Sequence, residues 1–549
     1  MKRLEHCQVY QSARRGFAPA TILFDDRVQS VSPSEKGGGR YVVPGFIDIH
    51  MHIESSMTTP TEFSRVTLPH GTTTIVADCH EVTNVFGIEG LGQFMGLEVL
   101  NDTFYAVPSS VPATSSLLET CGGTIDGPEV RRLAKDRRII CLGEVMNAHD
   151  LLAEGDNRTK RIIQVFRESR PECPIEGHCP RLSGSALDRF IASGVDSDHC
   201  QQTPSSIRER VEKGMFLEIQ YKSLTRENID ALKEFPGFFS FVTDDVMPDT
   251  LMGEGQLDRV LRKAIRLGMR PEDVIYAATW APAVRMHLVD RGMIAPGKLA
   301  DFVVLDDLDS LSIAQVYKRG KLVYDRDAEL VPHVTLPSFG SGILQSVRRD
   351  LVRADDFVLR IPNGSHQVVH VDHEAPGTLT RKTIRTVTVT DGTYHAPDVS
   401  ILASVERYGH QAPVVPVPML HGLSKPGAIC SSWSHDSHNL LVMASDAKFA
   451  ALAVNLVIKR QGGIATVDPE GEQFVPLAYG GIVSLEPMER LGKEILQVRA
   501  WLRDHGYQAD DEVMSFAVLA LPVSPVVKVS DKGIVDVATG TLIDWRDAE

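Results

Sequence analysis

The stretch Tyr41-Val-Val-Pro-Gly-Phe-Ile-Asp-Ile-His-Met-His52 decides the fold. Its β-branched and aromatic residues predict a strand that ends on His50 and His52, spaced i, i+2. Side chains two apart on a strand share a face, so the two imidazoles point together wherever that strand ends. Two imidazoles on one face are half of a metal site. Alone the pair is weak, because strand histidines are commonly solvated or satisfied by hydrogen bonds. It gains force downstream, where Glu144, His178, His199 and Asp244 each stand at the predicted C-terminal end of another strand.

Outward from this stretch, apolar runs alternate with amphipathic segments that begin at cap-like residues. Strands are predicted at 46–52, 72–78, 103–107, 138–144, 174–178, 194–199, 215–220 and 238–244, with helices among them at 61–68, 128–135, 160–170, 185–193 and 254–267. Such alternation, eight times over about 250 residues, is the pattern of an α/β chain closed into a (β/α)8 TIM barrel. An open doubly wound sheet would string the candidate ligands along a line. A barrel converges them on one axis, at the strand C-termini where such folds carry their active sites.

The flanks read differently. Strand-like pieces at 21–24 and 27–31 and a breaker at 34–39 precede the barrel, and alternating strands with glycine turns follow it between 292 and 324. Residues 1–45 and 293–345 are therefore expected to form one flanking β-sandwich around a catalytic barrel of residues 46–292. Residues 346–549, with strands at 382–390 and 526–529 and a helix near 489–504, are expected to form a C-terminal α+β domain.

A chain of 549 residues exceeds what one hydrophobic core supports. With 72 acidic against 57 basic residues the net charge is −15, which argues against nucleic acid or an anionic membrane as partner and for a small-molecule substrate. Eight cysteines without a framework spacing predict reduced thiols. Without an apolar leader or a run of about 20 apolar residues, a cytoplasmic protein is expected, as a homo-oligomer.

Neutral imidazole and carboxylate suit borderline and harder divalent metals. His50, His52, Glu144, His178, His199 and Asp244 are too many for one open site, so two ions are expected, manganese or iron, with zinc as the alternative. Glu144 can bridge a pair about 3.5–4 Å apart that activates a shared hydroxide. Asp244 is placed as the acid/base that moves the proton of that water, and Asp245, one residue on, is expected to face the other way. By the same alternation Cys179 and Cys200, directly after two ligand histidines, are expected to be buried thiols without a role.

Pro44-Gly-Phe-Ile-Asp-Ile-His-Met-His-Ile-Glu-Ser-Ser56 resembles the opening motif of the amidohydrolase superfamily in the form found in adenine deaminases. Pro69-His-Gly-Thr-Thr-Thr-Ile-Val-Ala-Asp78, Val107-Pro-Ser-Ser-Val-Pro-Ala113, Leu142-Gly-Glu-Val-Met-Asn147, Gly177-His-Cys-Pro-Arg-Leu-Ser-Gly184 and Ser197-Asp-His199 are similar to the same family. Gly427-Ala-Ile-Cys-Ser-Ser-Trp-Ser-His-Asp-Ser-His-Asn439 and the segment from Ser524 to Val537 resemble its C-terminal domain.

The resemblance implies hydrolytic removal of the 6-amino group of adenine. It assigns His50, His52, His178 and His199 as metal ligands, Glu144 in place of the bridging carboxylated lysine of other superfamily members, and Asp244 as acid/base. Glu54, Ser55, His80, Gln220, His435 and His438 are the substrate-binding candidates. Departures from the family pattern fall at Cys200, Gln220-Tyr-Lys222, Val246-Met-Pro-Asp-Thr250 and Gly255-Gln256, where a purine would be recognised. A related amidohydrolase acting on another aminated heterocycle or a cyclic amide is the alternative. A binding scaffold is the third, disfavoured because it has no need of six convergent polar groups that are costly to bury.

Overall fold

In the computed structural model the described residues are 1–35 and 37–546, so Lys36 of the expected breaker lies outside them. Eight parallel strands form the barrel: β1 (Phe46–Met51), β2 (Thr72–Ala77), β3 (Asp102–Val107), β4 (Ile139–Val145), β5 (Ile175–Gly177), β6 (Ser197–Asp198), β7 (Phe216–Ile219) and β8 (Phe239–Phe241). Strands β1 to β5 pair in order, as do β6 to β8. Asp196 N donates to Ile175 O at 3.1 Å across the β5–β6 seam, and Asp244 N donates to His50 O at 3.1 Å across the closing seam. The expected (β/α)8 barrel is thus the observed one. Several strands stop short of the expected ends, which leaves His52, His178, His199 and Asp244 just beyond them, on the first residues of the loops.

The helices sit where the caps place them. Pro60–Thr67 begins after Thr59, whose side chain accepts from Glu62 N, and Arg158–Ser169 after Asn157, which accepts from Lys160 N. Inside the barrel, Asp48 of β1 accepts from Thr243 Oγ1 and from Gln256 Nε2, each at 2.6 Å, and burial pushes its carboxyl up to about 7. This network lies beneath the mouth. Gln256, one of the departures expected in a purine pocket, is therefore a filled interior position whose amide is already used.

The segments flanking the barrel meet in one seven-stranded sheet, in the order 321–325, 312–318, 302–307, 41–44, 2–11, 16–24, 28–33. Phe24 and Phe302, three strands apart in that order, nonetheless touch edge to face at 5.2 Å, because the sheet curls over a core that includes Val9, Ile22 and Val304. Val28 N donating to Lys298 O closes the curl.

The C-terminal part carries an eight-stranded sheet from Gly364–His373 to Gly471–Pro476, with the helix Ala447–Arg460 against it, and a three-stranded sheet of 527–530, 533–536 and 541–543. Its helix Met488–Asp504 packs on Pro248–Glu254, just after β8, where Arg499 Nε pairs with Asp249 Oδ2 at 2.7 Å. All eight cysteines are free, Cys179 and Cys200 buried among them. Among the described residues no helix is long and apolar enough to cross a membrane.

Candidate active site

His50 sits within β1 and His52 one residue past its end, so the i, i+2 spacing does bring both rings to the mouth, their centroids 5.1 Å apart. Asp244 follows β8 with φ +57°, in the left-handed region that asparagine and aspartate tolerate better than most residues. That turn aims its Oδ1 at His52 Nε2, 3.4 Å away, and at His50 Nε2, 3.8 Å away. On the other side, Glu144 Oε2 lies 2.9 Å from His178 Nδ1 and 3.1 Å from His199 Nε2, while Glu144 Oε1 lies 3.4 Å from His52 Nε2. The two oxygens of one carboxylate thus face two groups of donors.

One donor atom from each of His50, His52 and Asp244 lies within 4.8 Å of the others, and the same holds for Glu144, His178 and His199. Ligands held about 2.0–2.2 Å from one ion must approach one another this closely. His50 Nε2 and Glu144 Oε2 are buried without an aligned hydrogen-bond partner, although Glu144 Oε2 has two imidazole nitrogens near it. Nitrogens and oxygens crowded without hydrogen-bond alignment, on neutral-imidazole and carboxylate donors, fit divalent cations.

Burial pushes the His50 imidazolium well below its usual range, which favours the neutral ligand form. Burial also works against charge on Glu144, but His199 and His178 outweigh it and hold that carboxyl well below the ordinary range. For Asp244 burial is likewise overcome, chiefly by His52. Burial opposes charge on His199 as well, yet Glu144 and Asp244 raise it to about 9.

A second layer supports the first. Glu144 N donates to Asp78 Oδ2 at 2.9 Å, and a Cβ on Gly143 would stand 2.2 Å from that same oxygen, so a side chain at 143 would push the Asp78 carboxylate off Glu144 N. Gln220 spends its Nε2 on His199 O at 2.8 Å, holding the loop that carries a ligand candidate. Glu218 of β7 is wholly buried below His50 and His199, with one donor of each within 4.8 Å. Sequence reasoning passed over Glu218, yet the signal was present: a carboxylate in the apolar strand Phe216–Ile219.

Among the substrate-binding candidates, Glu54 and Ser55 form a buried turn directly after His52. Ser55 Oγ donates to Asp245 Oδ1 at 2.5 Å. Asp245 therefore faces this turn and is not turned away, because the left-handed backbone at Asp244 breaks the strand alternation on which that expectation rested. His80 opens the helix His80–Met95, its ring 4.7 Å from that of His52.

The C-terminal part reaches this place. Trp433 Nε1 donates to Glu54 O at 3.1 Å, His435 Nδ1 lies 3.6 Å from Glu81 Oε1, and Asp436 Oδ1 lies 3.7 Å from His80 Nε2. His438 stays within its own segment: its Nδ1 accepts from Ser434 N at 3.3 Å and its ring is 5.9 Å from that of His435. Asp436, which the sequence did not single out, is closer to the barrel groups than His438 is.

The model of the amidohydrolase family matches residues 41–323, and that of the adenine deaminase C-terminal domain matches residues 377–541. An adenine deaminase of Clostridium perfringens is 40% identical, with 98% of each chain covered. The chain belongs to the adenine deaminase family of amidohydrolases. Adenine deaminase 2 of Oenococcus oeni is 43% identical over 92% of this chain and 89% of its own, and the adenine deaminase of Lactobacillus delbrueckii subsp. bulgaricus is 43% identical over 91% and 89%. The chain is a hydrolase of C–N bonds with a site suited to divalent metal.

Proposed function

We propose that the protein deaminates adenine hydrolytically, releasing hypoxanthine and ammonia, the activity for which its family relatives are named. The observation that carries this reading is the convergence of His50, His52, Glu144, His178, His199 and Asp244 on one barrel mouth, with two groups of donors facing one carboxylate. In this reading His50, His52, Glu144, His178, His199 and Asp244 would hold two divalent ions. Manganese or iron suits the donors, and zinc is the alternative. Such ions, when bound, supply Lewis-acid activation of water.

Asp244 then does the proton work. Its carboxylate, held ionised by His52, takes one proton of the attacking water and delivers it to the ring nitrogen next to the reacting carbon, then takes the second from the hydroxyl of the tetrahedral adduct and delivers it to the departing amine. Glu54, Ser55, His80, Gln220 and His435 form the surroundings of the purine, and the C-terminal segment excludes water from it. The small-molecule substrate, the net charge of −15 and the free thiols suit a cytoplasmic enzyme of purine salvage that works as a homo-oligomer without nucleic acid or membrane.

The test is ammonia release by metal-loaded protein across purines, pyrimidines and cyclic amides. Adenine is expected to be the best substrate by kcat/KM. Turnover of another heterocycle or a cyclic amide with none of adenine would overturn the substrate, and no ammonia from any compound would overturn the hydrolysis.

A further inference from the structure

His80 turns its two ring nitrogens to different places. Nδ1 faces Asp78 and Glu144 at 3.7 and 3.9 Å, on the side of the six-residue centre. Nε2 faces the other way, toward Asp436 Oδ1 at 3.7 Å, which in turn lies 3.2 Å from His435 Nδ1. One donor atom from each of His80, His435 and Asp436 lies within 4.8 Å of the others. All three side chains are more than nine-tenths buried, and among the described residues His435 Nε2 and Asp436 Oδ2 have no hydrogen-bond partner.

The surroundings are acidic. Glu54 and Glu81 are fully buried beside these three residues, each with one oxygen lacking a partner. Among the described residues no lysine or arginine pairs with Glu54, Glu81 or Asp436, and the only ion pairs they make are with His80 and His435. Carboxylates taken out of water need a compensating charge, and here His435 Nδ1 hydrogen-bonds Asp436 Oδ1 while His80 and Glu81 stand 3.6–3.7 Å from their partners, so three carboxylates share two imidazoles. A divalent cation among His80 Nε2, Asp436 Oδ1 and His435 Nδ1 would supply the positive charge that these carboxylates lack.

We propose that His80, His435 and Asp436 form a further divalent-cation site, distinct from the six-residue centre, that joins the C-terminal sheet to the barrel. Two imidazoles and a carboxylate suit Zn²⁺, with the position left by a fourth ligand open to water or to Glu81. The site goes beyond the proposed activity, and its test does not depend on turnover.

Full-length protein is stripped with chelator, reloaded with excess Zn²⁺, desalted and assayed for metal by mass spectrometry, beside Asp436→Asn and His435→Gln. Both variants are expected to hold about one equivalent fewer than the unsubstituted protein, and equal content would overturn the site. Because either variant can misfold, the unsubstituted Zn²⁺-loaded protein is also crystallised for anomalous diffraction at the zinc edge. A peak between His80 Nε2 and Asp436 Oδ1 is the expected result. No peak there would overturn the proposal and leave the cluster an internal ion network only.

Discussion

Trp433, in the loop that follows the strand Ala428–Ser431, donates its indole N–H to the backbone carbonyl of Glu54, two residues after His52. One side chain of the C-terminal part thereby fixes the turn that follows the His50–His52 pair. Met57 N also donates to that carbonyl, at 2.8 Å, so removing the indole does not strand the oxygen. Trp433→Phe is expected to cost about 1 kcal/mol for the lost hydrogen bond and a further few kcal/mol for imperfect packing. It should lower kcat/KM about tenfold by loosening the turn, because small displacements of a site are amplified in rate. Thermal melting and steady-state kinetics on the same preparation separate the two effects. Unchanged kinetics with a lowered melting temperature would mean that the contact only stabilises.

Asp244→Asn keeps the shape and one carbonyl oxygen toward His52 but cannot accept the proton of water. Turnover is expected to fall about 10²–10⁴-fold, the usual worth of a positioned acid/base, with fold and most metal retained. Metal analysis and single-turnover rates measure both. Retention of near full activity would remove Asp244 from the chemistry.

Asp245→Asn separates that role from its neighbour's. Because Asp245 accepts from Ser55 rather than facing away, the substitution is expected to raise KM several-fold while changing kcat less than Asp244→Asn does. Equal losses of kcat in the two variants would contradict the assignment of the proton to Asp244.

Asp102, at the start of β3, is held well below the usual carboxylate range, burial being outweighed by Lys318 and Arg291, each 2.7 Å away. Asp102→Asn leaves Lys318 to Asp301 and Arg291 to Asp290, and for the lost charged hydrogen bonds is expected to cost about 1.5–3 kcal/mol near neutral pH. A carboxyl with a depressed native value contributes stability above its unfolded value, and that contribution is lost as pH falls through the native one. Denaturant unfolding should therefore show the gap between variant and unsubstituted protein closing below about pH 4.

Lys528 has the opposite sign. Fully buried, with Nζ donating to Thr378 O at 3.1 Å, its ammonium is pushed down to about 7 by burial. Between that value and the ordinary 10.5 the unfolded chain binds the extra proton, so native stability rises with pH across this window, and the penalty is full below it. Lys528→Met is expected to melt higher than the unsubstituted protein at pH 7 and to lose that advantage toward pH 10. Parallel melting curves at both pH values would show that Lys528 carries no such penalty.

Much of this was legible in the chain. The apolar runs before His50, Glu144 and Asp244 marked barrel strands, because strands buried on both sides read as near-continuous apolar stretches, whereas Pro174-Ile-Glu-Gly before His178 and Val195-Asp-Ser-Asp before His199 stand out only by their place in the strand–helix alternation. What lay outside reach has physical reasons. The direction of Asp245 depended on the left-handed backbone at Asp244, and aspartate does not announce that conformation as glycine would. The use of Gln256 inside the barrel, on Asp48, depended on a contact between β1 and a residue beyond β8. The meeting of His80 with Asp436 depended on how two sheets dock, which no local periodicity encodes.

The seven-stranded sheet carries a consequence for synthesis. Tyr41–Pro44 pairs on one side with Lys2–Gln11, made before it, and on the other with Phe302–Asp307, made after the whole barrel. At about 5–20 residues per second, the ribosome needs on the order of tens of seconds to deliver that partner. Throughout this interval the buried valines 42 and 43 sit on an open strand edge, a template for pairing with another chain. A nascent or truncated chain that stops at the end of the barrel should accordingly be captured by chaperones or precipitate, and only extension past residue 307 releases it.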